Sequence, residues 1–171
     1  MTPTHLHAPH APGLLRHVLL VALMVLAALV WLATAAAAQE LKTFTKKASF
    51  EDVKFDLDDA ITRRGLVVDF TGNVGGMLER TGKDVGSTRA IYKRAQYVSF
   101  CSAKLSREMM EADAANVGYC PFVVFIYEAA DKPGEVVVGY RRMPTGGSAA
   151  SLKALAAIEA MLEGIAKDAV K

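Results

Sequence analysis

Val18 to Ala38 is a run of 21 residues without a charged side chain, and it divides the chain into two unlike parts. Arg16 stands just before the run and Ala36-Ala37-Ala38 closes it. A basic start, an apolar middle and a small-residue site make the pattern of a secretory signal. The expectation is cleavage after Ala38, giving a periplasmic or secreted chain that starts at Gln39. The run is also long enough to span a bilayer, so an inner-membrane anchor over residues 18–38 is the alternative. In both readings residues 39–171 form one domain outside the cytoplasm. A chain of this length suits a single domain and buries about two thirds of its unfolded surface without staples.

Cutting at Ala38 also removes chemistry. All four histidines (His5, His7, His10, His17) and the only tryptophan, Trp31, precede the cut. A domain without histidine has no Ser-His-Asp or Cys-His arrangement, no imidazole base and no imidazole metal ligand. Arg16 is the only basic residue lost, so basic and acidic residues stay nearly balanced. That balance gives no reason to expect nucleic acid, whose binding rests on a basic excess.

Periodicity orders the rest. Leu41–Lys47 alternates as a short strand. Ser49 starts a helix, with Asp52 standing in for the acid of a capping box. Val53, Leu57, Ala60 and Ile61 form its apolar stripe, and Gly65 ends it. Leu66–Thr71 reads as a strand. The glycine-rich stretch from Gly72 to Thr88 is the least regular, with a short helical turn at Met77–Arg80. Ala90–Ala95 reads as a second turn and Tyr97–Ser102 as a strand. Leu105, Met109 and Met110 have helical spacing. Pro121–Tyr127 is a nearly continuous apolar run that reads as a central strand. Asp131-Lys132-Pro133-Gly134 is a turn into a returning strand, Val136–Tyr140. Ser148 or Ser151 caps a last helix with the stripe Leu152, Leu155, Ile158, Leu162, Ile165, Ala169. The expected class is a two-layer α+β fold: about five largely antiparallel strands, with two main helices on one face.

Four features of this order resemble the bacterial domain of unknown function 302 family. The first is the Phe50–Arg64 helix running into Gly65-Leu66-Val67-Val68. The second is a strand ending in Phe100, with a small residue and Lys104 after it. The third is Pro121 opening Phe122-Val123-Val124-Phe125-Ile126-Tyr127-Glu128. The last is the Pro133-Gly134-Glu135 hairpin into Val136-Val137-Val138-Gly139-Tyr140. The resemblance covers nearly all of residues 39–171. It implies a β-α-β4-α arrangement similar to the TATA-binding-protein fold and a homodimer, and it carries no activity. Family members often have Phe-Gly-Asn-Pro-Lys where this chain has Phe100-Cys101-Ser102-Ala103-Lys104, and often a histidine where this chain has Asn73.

Cys101 and Cys120 are the only cysteines. In an oxidising compartment the plain expectation is a structural disulfide between the ends of two adjacent strands. A bridge over about 20 residues contributes about 3 kcal/mol in the chain-entropy model. Two sharper readings use the same pair: a reactive thiol couple for redox or sulfur handling, and soft-metal binding with Met109 or Met110. The absence of C-x-x-C and C-x-x-C-H argues against thioredoxin-like chemistry and covalent haem.

Other constellations are weak. Gly82-Lys83-Asp84 lacks the spacing and the Ser or Thr of a phosphate loop. The acidic residues Glu51, Asp52, Asp56, Asp58 and Asp59 read as a dipole-matched, solvated helix face. Arg89, Lys93, Arg94, Arg141 and Arg142 form an anion site only if the fold gathers them. Tyr92, Tyr97, Tyr119, Tyr127 and Tyr140 are candidates for a pocket between sheet and helices.

The expected function is an exported, non-catalytic domain that binds a small molecule or a periplasmic protein, with no cofactor, no resident metal and no nucleic acid. Lys104 and Tyr119, beside the cysteines, are the candidate ligand residues, with Arg89 as a third. Membrane association, as a scaffold, is expected only if the leader is retained.

Overall fold

The computed structural model describes His17, Val18 and residues 40–171. The leader, its cleavage point and the anchor alternative lie outside those residues. Among the described residues no helix is long and apolar enough to cross a membrane. The chain divides into two units, Met1–Ala38 and Gln39–Lys171, and the second is described below.

Its elements are β1 (Leu41–Lys47), α1 (Phe50–Thr62), β2 (Val68–Asn73), α2 (Val74–Thr81), β3 (Tyr92–Phe100), α3 (Ala103–Ala112), a 3-10 turn (Ala114–Tyr119), β4 (Phe122–Ala129), β5 (Glu135–Arg141) and α4 (Ala149–Ala169). The strands form one sheet in the order β1-β5-β4-β3-β2, and every neighbouring pair is antiparallel. The α+β expectation of five antiparallel strands and two main helices is met. Two shorter helices, α2 and α3, are added to it.

The helices begin where side chains satisfy their first free N–H groups. Ser49 Oγ accepts from the Asp52 amide at 3.1 Å, and Ser148 Oγ from the Ser151 amide at 3.2 Å. Ser148, and not Ser151, is therefore the cap of α4. Val53, Leu57, Ala60 and Ile61 of α1 are fully buried, as are Ile158 and Ile165 of α4. They meet Phe100, Phe122, Val124, Ile126, Val138 and Tyr140 from one face of the sheet. Each large side chain buried this way contributes about 1.5–3 kcal/mol.

The sequence reading is corrected at three points. Ala90–Ala95 is not a turn: β3 begins at Tyr92, and a bulge between Tyr92 and Arg94 adjusts its register. The charges there have partners on β4 and α1. Lys93 Nζ reaches Glu128 at 3.1 Å, and Arg94 pairs with Glu51 over the Phe50 ring. At its other end β3 stops at Phe100, because Ser102 becomes the cap of α3 and accepts from the Leu105 amide. Finally, β2 runs two residues further than expected, to Asn73, whose side chain accepts from the Gly76 amide and starts α2.

Candidate functional site

Phe100 pairs with Phe122 across β3 and β4, which brings the residues just outside those strands to one end of the sheet. Cys101 and Cys120 meet there with their Sγ atoms 2.9 Å apart, and both are free thiols. Ser106 Oγ lies 3.9 Å from Cys120 Sγ. Cys101 is pushed up to about 11, first by the cost of removing its thiolate from water, then by Cys120 and the charge of Asp69. A thiol held above its ordinary range is mostly protonated at neutral pH, the opposite of an activated nucleophile.

The other residues expected near this pair behave differently from one another. Lys104 is in the first turn of α3, largely exposed, and pairs with Glu108 at 2.8 Å. Tyr119 ends the 3-10 turn and packs against the core. Met109 is fully buried in that core, and Met110 packs beside it, so these sulfurs serve packing. Arg89 does not join the group. It precedes β3 at its opposite end, where Tyr92 pairs with Ala129, some 25 Å away at about 3.3 Å per strand residue.

The basic set is not gathered either. Arg94 pairs with Glu51, Lys93 with Glu128, and Arg142 with Glu159 at 3.1 Å. Arg89 and Arg141 remain, and both line a cavity on the sheet face turned away from α1 and α4. That face holds most of the tyrosines. Of the five, Tyr140 is fully buried between the sheet and the helices, with its hydroxyl 3.3 Å from Glu159, and Tyr119 packs against that core. Tyr92, Tyr97 and Tyr127 lie on the uncovered side.

This open face has a definite construction. Cross-strand pairing places Thr43, Gly139, Phe125, Tyr97 and Gly72 in one row across all five strands. The two glycines make room for rings. A Cβ on Gly139 would lie 2.5 Å from Phe125 Cζ, and one on Gly72 would run into the Tyr97 ring. Phe125 stacks on Tyr127 at 6.2 Å, and Tyr127 meets Tyr92 edge-on at 5.5 Å. Leu41, Phe70, Ile91 and Val123 add exposed apolar side chains. The cavity over this face measures about 1020 Å³. A second of about 730 Å³ adjoins it between α2 and β3, and the two share Arg89, Ile91 and Tyr92.

Sequence reasoning missed this face. The run Pro121–Tyr127 read as a central strand, and β4 is indeed the central strand. Only Phe122, Val124 and Ile126 are covered, whereas Val123 is 40 % exposed. An apolar run in a sheet with helices enough for one side was the available signal.

The model of the family described as "Domain of unknown function DUF302" matches residues 42–169. A solved structure is similar, the "uncharacterized conserved protein DUF302 from Bacillus stearothermophilus". It is 13 % identical, the match covers 78 % of this chain and 99 % of that one, and the TM-score is 0.64, which speaks for the fold alone. No curated protein matches.

Proposed function

Starting from a chain that belongs to the DUF302 family, a kinship that carries a fold and no activity, we propose a non-catalytic binding domain whose site is the uncovered aromatic face of its sheet. The observation that carries this reading is the continuous apolar surface of Phe125, Tyr127, Tyr97 and Val123, left without a covering layer. Soluble domains seldom expose such a patch unless something binds it. Concave, mostly apolar surfaces with few charges are the usual form of small-molecule sites.

Cys101 and Cys120 belong to the same proposal as a stabilising bridge, closed once the exported chain reaches an oxidising compartment. The signal-like segment before Gln39 supports that route. A thiol-exchange role is the second reading, and the 2.9 Å approach of the two sulfurs favours it. The raised Cys101 thiol weighs against it.

Two measurements test the proposal. An apolar fluorescent dye such as bis-ANS is expected to bind the native protein at one site. Val123→Lys, at an exposed position, is expected to remove that binding without changing the circular dichroism. Dye binding that survives Val123→Lys in a folded protein sinks the open-face site. An intact mass two hydrogens light and stable to mild reductant supports the bridge. Rapid alkylation of Cys101 at neutral pH sinks it in favour of exchange chemistry.

A further inference from the structure

We propose that the open sheet face takes an amphipathic carboxylate: an apolar body lies along β4, and Arg141 holds the anionic head. This rests on the open face being a binding site and adds its ligand class. Arg141 is the last residue of β5. It pairs across the sheet with Leu41, and it lies one step beyond the Val124–Tyr140 pair, which sets it beside Val123. Both neighbours are exposed apolar residues. Among the described residues the Arg141 side chain has no ion pair and no hydrogen bond, whereas Arg142, next in sequence, is engaged by Glu159 and Glu40.

Charge complementarity identifies the ligand. The charged residues lining the cavity are Arg89, Arg141 and Asp131, a net positive set. Asp131 and Arg89 lie toward the Ala129 end of β4, and Arg141 stands at the Val123 end. The rings of Phe125 and Tyr127 fill the span between, about 20 Å at 3.3 Å per residue. Arg141 is exposed, and a guanidinium is more weakly hydrated than an ammonium and forms forked hydrogen bonds to a carboxylate. A wholly apolar ligand would leave Arg141 desolvated without a partner, and a cation would be repelled.

The test is competition for the bis-ANS site on the protein as the cell exports it, using micromolar dodecanoate, dodecanol and dodecylamine. Dodecanoate is expected to bind at least about tenfold more tightly than dodecanol, a factor typical of one charge-assisted pair. Arg141→Gln is expected to remove that preference and leave dodecanol unchanged. Dodecylamine is expected not to displace the dye, and Val123→Asp, which sets a carboxylate beside Arg141, is expected to abolish dodecanoate binding, with folding checked by thermal melting. Equal binding of acid and alcohol, unchanged by Arg141→Gln, overturns the carboxylate assignment and leaves the binding face standing. Failure of all three to displace the dye overturns both. A stable dimer that Val123→Lys converts to monomer, and that excludes the lipids, overturns the proposal by giving the face to a second copy of the chain.

Discussion

Asn116 donates from its side-chain amide to Ser151 Oγ and to the Met109 carbonyl, each at 2.8 Å. One buried residue of the 3-10 turn thereby ties the end of α3 to the first turn of α4. Both acceptors lie where water does not easily replace the donor, since Met109 and Ser151 are themselves buried. Asn116→Leu keeps the branched shape of the side chain, at a larger volume, and orphans both acceptors. The expected loss is about 1–3 kcal/mol, the cost of an unsatisfied buried polar group. Urea denaturation measures it, and an unchanged midpoint would mean that the turn is not anchored this way.

Gly139 is fixed by its neighbours. A Cβ there would meet Phe125 Cζ at 2.5 Å and the Lys42 carbonyl oxygen at 2.7 Å. The ring can swing aside, but the carbonyl belongs to the backbone of paired β1. Gly139→Ala is therefore expected to cost about 1–3 kcal/mol through overpacking. Phe125→Leu in the same chain should recover only part of that loss. Thermal melts of the single and double variants separate the ring from the strand, and complete recovery would contradict the role of β1.

Acid should weaken the fold through two carboxylates. Glu128 is buried, and the Gly134 amide, donating at 2.8 Å, holds it below the usual carboxylate range, with Lys93 helping. Asp168 is lowered to about 2, first by Lys171 and then by Arg64. Both groups have folded values below their unfolded ones, so the stability they contribute is present above about pH 4.5. It is lost as pH falls through the folded values, for Asp168 toward pH 2. Glu128→Gln is expected to lower stability at pH 7 by about 1–2 kcal/mol, as for a weakened charge-assisted bond. It should also flatten the fall in stability as pH drops below about 4.5. A parallel pH profile in the variant would assign the acid sensitivity elsewhere.

Closing Cys101 to Cys120 links positions 19 residues apart. The oxidised protein is expected to exceed the reduced one by about 3 kcal/mol in unfolding free energy. Cys101→Ser with Cys120→Ser should match the reduced protein under all redox conditions. Equal urea midpoints for oxidised and reduced chains would remove any structural role for the bridge.

The layers of the fold were legible because their signals are local. The stripe Val53, Leu57, Ala60, Ile61 and the serine caps each need only a few neighbouring residues to be read. Lys93 and Arg94 hid the start of β3, since a strand that begins with two charges resembles a turn until Glu128 and Glu51 are brought beside it. The candidate site was harder still. Arg141 and Arg142 are adjacent in sequence and chemically alike, yet the pleat sends one to Glu159 and the other to the apolar face. Tyr97 and Phe125 gain their place from Gly72 and Gly139 on other strands, a relationship that only cross-strand register creates.

The strand order also sets a timetable. The strands β2, β3 and β4 each pair with the next strand in sequence, so the run from β2 to β5 can zip together as it emerges. The first strand, β1, has a single partner, β5, the last strand to be made. Contacts between segments so distant in sequence are slow to form, because loop-closure entropy is spent before they are rewarded. A nascent chain therefore carries β1 unpaired through most of its synthesis and cannot complete its sheet early.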